Sequence, residues 1–245
     1  MKKTRLDRVL VDRAIYPTRE QAQRAVMAGQ VRVGGQVADK ASLLVDPNTV
    51  IATASPPRYV GRGGLKLEGA LDSFHLDVRD WTAIDIGAST GGFTDCLLQH
   101  GARKVYAIDV GYGQLAWRIR KDQRVEVLEK TNARNLSPIS IRERADICVI
   151  DVSFISLTLI LPKTFQLIIP NGVVLALIKP QFELEQGEVG RGGIVREAAL
   201  HEKAQNKIVS FIKNLGDNVI GLAPSVIAGT DGNREFFICA RKPLA

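Results

Sequence analysis

Hydrophobic positions along the chain fall into two regimes that change near residue 60. In the first, apolar residues recur at helical spacing. Leu6, Val9, Leu10 and Ile15 fit one face of a helix over 7–15, and a second helix is expected over 19–28. Thr18 stands where an N-cap belongs, with Gln21 three residues on, and Gly29 marks the end of that helix. The run Val31-Arg-Val33-Gly34-Gly35-Gln-Val37 alternates around a Gly-Gly pair and predicts a tight hairpin, with one more strand over 49–53. Ala54-Ser-Pro-Pro-Arg58 has linker chemistry.

After residue 63 short β-rich runs alternate with helical ones. A helix is expected over 65–74, then strands over 82–86, 104–109, 125–128, 147–152 and 173–178. A long helix over 196–215 and two last strands, 219–227 and 235–241, complete the chain. This rhythm predicts an α/β domain with a mainly parallel sheet covered on both faces. Such sheets bind ligands beyond the carboxyl ends of their strands. The expected division is therefore a small α+β domain over 1–54, a linker over 55–62 and an α/β domain over 63–245.

The richest local pattern is Ala83-Ile-Asp85-Ile-Gly87-Ala-Ser89-Thr90-Gly91-Gly92-Phe93-Thr94-Asp95. A strand runs into a glycine turn and then a helix, so backbone can approach a ligand beside an electropositive helix end. The spacing is G-x-x-x-G-G rather than the G-x-G-x-x-G of dinucleotide binders. Asp109 ends the next strand, where an acid can accept hydrogen bonds from ribose hydroxyls. Loop and acid alone do not separate a nicotinamide dinucleotide from S-adenosylmethionine.

Composition sharpens the picture in one respect. Residues 1–62 carry eleven Lys and Arg against five acids, while the rest of the chain holds 22 against 21. The excess positive charge thus belongs to the small domain, as suits a phosphate backbone. The three scattered cysteines, Cys96, Cys148 and Cys239, have apolar neighbours and read as buried thiols. They and the three dispersed histidines suggest no metal site. The N-terminal segment lacks the apolar core of a signal peptide, and no apolar run is long enough to span a bilayer, so a cytoplasmic protein without membrane association is expected.

Arg5-Leu6-Asp7, Thr18-Arg19-Glu20-Gln21-Ala22 and Ala28-Gly29-Gln-Val31-Arg-Val33-Gly34-Gly35 resemble the S-four-type RNA-binding domain over residues 4–54. The resemblance implies that Arg5, Arg8, Arg19, Arg24 and Arg32 face RNA. Asp85-Ile-Gly-Ala-Ser-Thr-Gly-Gly-Phe-Thr resembles the first motif of class I methyltransferases, particularly FtsJ-like RNA 2′-O enzymes. Further stretches are similar to the TlyA family of ribosomal RNA cytidine 2′-O-methyltransferases, long labelled hemolysins. They are Tyr59-Val-Gly-Arg62-Gly63-Gly64-Leu-Lys66, Asp109-Val-Gly-Tyr112-Gly113-Gln-Leu-Ala-Trp117, Thr131-Asn132-Ala-Arg134, Asp151-Val-Ser-Phe-Ile-Ser156, Lys179-Pro-Gln-Phe-Glu183 and Gly232-Asn-Arg-Glu235-Phe-Phe. That family implies a Rossmann-like seven-stranded domain and S-adenosylmethionine as cofactor. Its partner is ribosomal RNA or a ribosomal subunit, and its catalytic tetrad falls on Lys66, Asp151, Lys179 and Glu235. The short chain ends resemble the subgroup acting on large-subunit RNA alone, whereas other members also modify the small subunit. By the same resemblance Gly87, Ser89, Thr90 and Gly91 line the methionine side of the cofactor, Asp109 takes its ribose and Asn132 its adenine edge. Tyr112 and Trp117 are expected in the core, and the charged, glycine-rich loop 181–193 is either a lid over the substrate or simply mobile.

The chemistry suits these residues. A ribose hydroxyl is a weak nucleophile, and a lysine can take its proton only when neutral. Burial or a second nearby cation favours the neutral amine, whereas carboxylates oppose it, so geometry decides. We assign Lys179 as general base and Lys66 as the lysine that orients the hydroxyl, with Asp151 and Glu235 holding the ammonium groups. Ordinary salt bridges are the alternative for these four. Amine methylation would call for an Asn-Pro-Pro-aromatic turn where Asp151-Val-Ser-Phe154 stands, and a C5-type reaction would call for a nucleophilic cysteine. A non-catalytic RNA-binding or ribosome-assembly factor and a membrane-lytic protein are the remaining classes.

Overall fold

The computed structural model describes residues 3–54, 57–229 and 232–244. The chain forms two units, Met1–Arg58 and Tyr59–Ala245. Of the linker expected over 55–62, Ser55 and Pro56 lie outside the described residues. Tyr59–Arg62 belong to the second unit, where Tyr59 is buried and the Val60 amide donates to Asp95 Oδ2 at 2.8 Å.

The first unit opens with β1 (Thr4–Arg5) and continues through α1 (Leu6–Asp12), α2 (Arg19–Met27), β2 (Val31–Val33), β3 (Gln36–Val37), β4 (Leu44–Val45) and β5 (Ile51–Thr53). Leu6, Val9 and Leu10 of α1 and Ala22, Ala25 and Val26 of α2 pack with Val31 and Val45 into one small core. Thr18 caps α2 by accepting from the Gln21 amide at 3.3 Å. Gly34 and Gly35 both have positive φ, 57° and 85°, so the β2–β3 turn has the mirror-image geometry that matches strand twist. β1 pairs with β4, a two-residue ladder too short for alternation to reveal.

The second unit contains α3 (Gly63–Ser73), β6 (Thr82–Ile86), α4 (Gly92–Gln99), β7 (Lys104–Ile108), α5 (Trp117–Arg120), β8 (Val125–Leu128), β9 (Ala145–Ile150), α6 (Leu161–Leu167), β10 (Ile168–Ile178), α7 (Pro180–Glu183), α8 (Ala198–Asn214), β11 (Asn218–Pro224) and β12 (Phe236–Arg241). Its seven strands run in the order β11-β12-β10-β9-β6-β7-β8. The five from β8 to β10 are parallel, and β12 is antiparallel to both β10 and β11. Central strands are buried on both faces, as covered parallel strands must be. One face packs Ala83, Val105, Val149 and Leu175 under α3 and α4. The other packs Ile84, Ile108, Ile150 and Ala176 under α6 and α8. The chain leaves β6 toward β7 and β8 and later returns to place β9 on its other side. The carboxyl ends of β6 and β9 therefore flank the crevice where such sheets bind ligands. All three cysteines are buried thiols, and burial raises the thiol pKa of Cys148, which leaves it unsuited to nucleophilic work. Among the described residues no helix is long and apolar enough to cross a membrane.

Candidate active site

The turn after β6 is shaped by a close approach. Gly87 has φ of 85°, and a Cβ there would lie 2.2 Å from the Asp151 carbonyl oxygen at the end of β9. Only glycine lets the two strand ends come so near. Asp109, just past β7, braces the turn from the other side. Its Oδ2 accepts from the Ser89 amide at 2.8 Å and its Oδ1 from the Gly111 amide at 2.7 Å. Each oxygen keeps a further lone pair for a ligand hydroxyl.

Beside this turn lies a cavity of about 430 Å³. Ile86, Ile108, Val152, Ile155 and Ile160 give it an apolar wall, while Gly87, Ser89, Asp109 and Asn132 reach it with polar groups. Thr90 and Gly91 do not line it. Gly91 caps the start of α4 with φ of 94°, so it shapes the turn rather than the wall. The Asn132 side chain accepts from the Arg134 amide at 3.0 Å, fixing the polypeptide after β8 at the cavity edge.

A second cavity of about 590 Å³ brings together Lys66 from α3, Asp151 after β9, Lys179 after β10 and Glu235 before β12. Lys66 Nζ donates to Glu235 Oε2 at 2.5 Å, with both side chains almost fully buried. Lys179 Nζ lies 2.6 Å from Asp151 Oδ1 and donates to Ser153 Oγ at 2.9 Å. The two cavities share Asp151, Ser153 and Phe154 in their walls. Phe154 is 89% exposed, has φ of 65° and leans its ring on Phe182 at 5.1 Å between centroids. A non-glycine residue held in left-handed backbone beside a cleft is a mark of functional strain.

Arg62, Ser153, Phe154, Gln181 and Phe182 line the site, although in the sequence they stood only within the family-like stretches, with no role of their own assigned. Their signal was membership in those stretches, each within a few residues of a tetrad member. The loop 181–193 supplies Gln181, Phe182, Gly192 and Gly193 to the second cavity. Its end is fastened by buried Asn233, whose Oδ1 accepts from the Val195 amide and whose Nδ2 donates to the Gly193 carbonyl, both at 2.8 Å. Tyr112 and Trp117, expected in the core, are instead 73% and 68% exposed. The segment after β7 reaches the cavity rim through Val110 and Gln114 and leaves Tyr112 in solvent, as α5 leaves Trp117.

Beneath the glycine turn Asp85 is wholly buried. Its Oδ2 accepts from Thr94 Oγ1 at 2.6 Å and its Oδ1 has no partner among the described residues. Burial, with smaller contributions from the Asp151 and Asp109 charges, pushes its pKa up to about 7.

In the first unit Arg5, Arg8, Arg19, Arg24 and Arg32 are all exposed. Three of them have structural work as well. Arg5 (2.9 Å), Arg19 (3.0 Å) and the Gln23 amide (2.8 Å) converge on Asp7, whose side chain is fully buried. These donors hold its carboxyl well below the usual carboxylate range. Arg32 donates to the Gly35 carbonyl at 3.0 Å and so braces the hairpin.

Comparison with known proteins adds family context. The FtsJ-like methyltransferase family matches residues 59–242, and the S4 domain family matches residues 4–51. The 16S/23S rRNA (cytidine-2′-O)-methyltransferase TlyA of Mycobacterium tuberculosis is 42% identical over 242 residues, covering 98% of this chain and 90% of that one. Hemolysin A of Brachyspira hyodysenteriae is also 42% identical, over 95% of this chain and 97% of its own. A solved structure from Streptococcus thermophilus, carrying a hemolysin name, superposes with a TM-score of 0.77 at 45% identity, covering 99% of this chain and 90% of that one.

Proposed function

The chain belongs to the TlyA family of FtsJ-like methyltransferases, and from that premise we propose that it methylates a cytidine ribose 2′-hydroxyl in ribosomal RNA, with the large subunit as the first substrate to test. It is an S-adenosylmethionine-dependent enzyme with an RNA-binding domain of the S4 kind. The observation that carries the substrate reading is the shared wall of Asp151, Ser153 and Phe154, which sets a cofactor-sized cavity against a cavity holding two lysines.

The residues of the first cavity fit S-adenosylmethionine. Gly87, whose missing side chain lets the ends of β6 and β9 approach, leaves bare backbone at the cavity wall for the amino-acid end. Asp109 faces the cavity with lone pairs for ribose hydroxyls, and the isoleucine wall suits an adenine. When bound, S-adenosylmethionine supplies an electrophilic methyl carbon on a positively charged sulfur.

In the second cavity Lys66, anchored by Glu235, donates to the ribose oxygen and holds it in line. Lys179, held by Asp151 and Ser153, would take the 2′-hydroxyl proton as the methyl carbon passes from sulfur to the ribose oxygen, the O–C bond forming as the S–C bond breaks. The glycine-rich loop walls this cavity and limits water at the reacting oxygen. Arg5, Arg8, Arg19, Arg24 and Arg32 meet the phosphates of the substrate from the small domain.

The test is transfer of labelled methyl to isolated ribosomal subunits, with the modified nucleotide mapped in ribosomal RNA from cells with and without the gene. Lys179→Ala is expected to lower turnover by roughly 10²–10⁴-fold with cofactor binding retained by calorimetry. Near-normal turnover in that variant, or label on a base rather than a ribose, would overturn the reading.

A further inference from the structure

Two aromatic side chains of the second unit stand outside its core, each beneath a lysine. Lys130 Nζ lies 4.6 Å from the centre of the Tyr112 ring, and Lys121 Nζ lies 4.5 Å from the centre of the Trp117 ring. Packing does not account for these rings, since both are about 70% exposed. Nor are the two lysines taken up by carboxylates. Among the described residues neither forms a salt bridge, whereas Arg118, Arg120 and Arg124 of the same stretch pair with Asp95, Glu129 and Asp122.

The surface is built rather than loose. Glu129 accepts from the Gly113 amide at 2.8 Å and pairs with Arg120 of α5, and the Lys130 amide donates to the Gly111 carbonyl at 3.0 Å. Those bonds join the segment after β7, which carries Tyr112, to α5, which carries Trp117, and to the segment after β8, which carries Lys130. The same two segments run straight into the rim of the first cavity, through Val110 and Gln114 on one side and Thr131, Asn132 and Arg134 on the other. Val110 is itself 72% exposed.

We propose that Tyr112 and Trp117, with Lys130 and Lys121, form a stacking platform for unpaired nucleobases that flank the target nucleotide. The partner is committed by chemistry. Flat rings with ammonium groups that form no salt bridge among the described residues match a strand of alternating base faces and phosphates, and single-stranded RNA is held in this way. A protein partner would leave two lysines without carboxylates unless it brought acids of its own. The proposal rests on an RNA substrate, and it adds contacts on the catalytic domain beyond those of the small domain.

Trp81 and Trp117 are the two tryptophans of the chain. In full-length protein carrying Trp81→Phe, emission therefore reports Trp117 alone. Titration with a short cytidine oligoribonucleotide at low ionic strength is expected to quench that emission saturably, because a base stacks on the indole. Heparin, which is anionic but has no bases, is expected to leave it unchanged. Independently, Trp117→Ser and Tyr112→Ser are each expected to lower kcat/KM for RNA by roughly tenfold with the cofactor dissociation constant held within twofold. Absence of quenching, equal quenching by heparin, or unchanged kcat/KM in both serine variants would overturn the platform. Methyl transfer by the unaltered protein is scored separately. Quenching without transfer would count against the proposed reaction and for the platform, and transfer without quenching would do the reverse.

Discussion

Replacing Asp85 by asparagine is expected to stabilise the second unit at pH 8 and to flatten its stability between pH 4 and 7. The carboxyl is buried under the cofactor turn with one oxygen unpartnered, and its pKa is pushed from 3.8 to about 7. An unfolded chain releases this proton near pH 4, whereas the folded protein keeps it until about pH 7. Between those values the unfolded state binds fewer protons, so stability falls as pH rises through the window and levels off above it. A shift of roughly three units at about 1.4 kcal/mol each corresponds to ~4 kcal/mol of lost stability at pH 8. Asparagine removes that cost and still accepts from Thr94. Its amide nitrogen falls on the side without a partner, which returns about 1–3 kcal/mol of penalty. The net expectation is a gain of about 1–3 kcal/mol at pH 8, or several degrees in Tm for a chain of this size. Both tryptophans lie in the second unit, so thermal melting followed by tryptophan emission at half-unit pH steps reads the right transition. The reasoning fails if the variant and the unaltered protein share one pH slope between 4 and 7, or if the variant melts lower at pH 8.

Three further outcomes follow from the same geometry. Gly87→Ala places a methyl group 2.2 Å from the Asp151 carbonyl at a φ of 85°, so calorimetry is expected to show loss of cofactor binding and melting a cost of about 2 kcal/mol or more. Glu183, buried in α7, accepts from Ser156 Oγ at 2.6 Å and from the Leu157 amide at 2.8 Å, so it ties the turn after Asp151 to the helix after Lys179. Glu183→Ala is expected to lower kcat roughly tenfold with cofactor affinity unchanged, and Glu183→Gln, which keeps an acceptor for Leu157, to restore most of it. Asp7 has a depressed pKa, so its stabilisation of the first unit is present above about pH 4 and is lost as pH falls toward its folded value. Asp7→Ala is expected to cost about 1–3 kcal/mol and weaken RNA binding without touching RNA, which amide NMR of the first unit and a filter-binding assay would show together.

The chain order of elements was readable because each rests on neighbours in sequence. The apolar stripe of Leu6, Val9 and Leu10, the Gly34-Gly35 turn and the buried strand Thr82–Ile86 all stand where local periodicity and backbone preference put them. The glycine turn at Gly87 and the acid at Asp109 were legible for the same reason, since their spacing in the chain is their spacing around one ligand. Motif resemblance supplied the tetrad residues, but no local rule brings Lys66 within 2.5 Å of Glu235 across 169 residues. That pairing exists because β12 returns antiparallel beside β10, a choice made by sheet assembly. Tertiary structure also decided the exposure of Tyr112 and Trp117, because apolar character does not say which side of a loop faces the core. The convergence of Arg5 and Arg19 on buried Asp7 was hidden likewise, since an arginine that serves a carboxylate and one that awaits a phosphate are the same letter in a sequence. Sequence determined which chemical groups this protein carries and in what local frames. Long-range packing determined which of them meet, because contact energies between distant segments depend on the folded path and not on the order of residues along it.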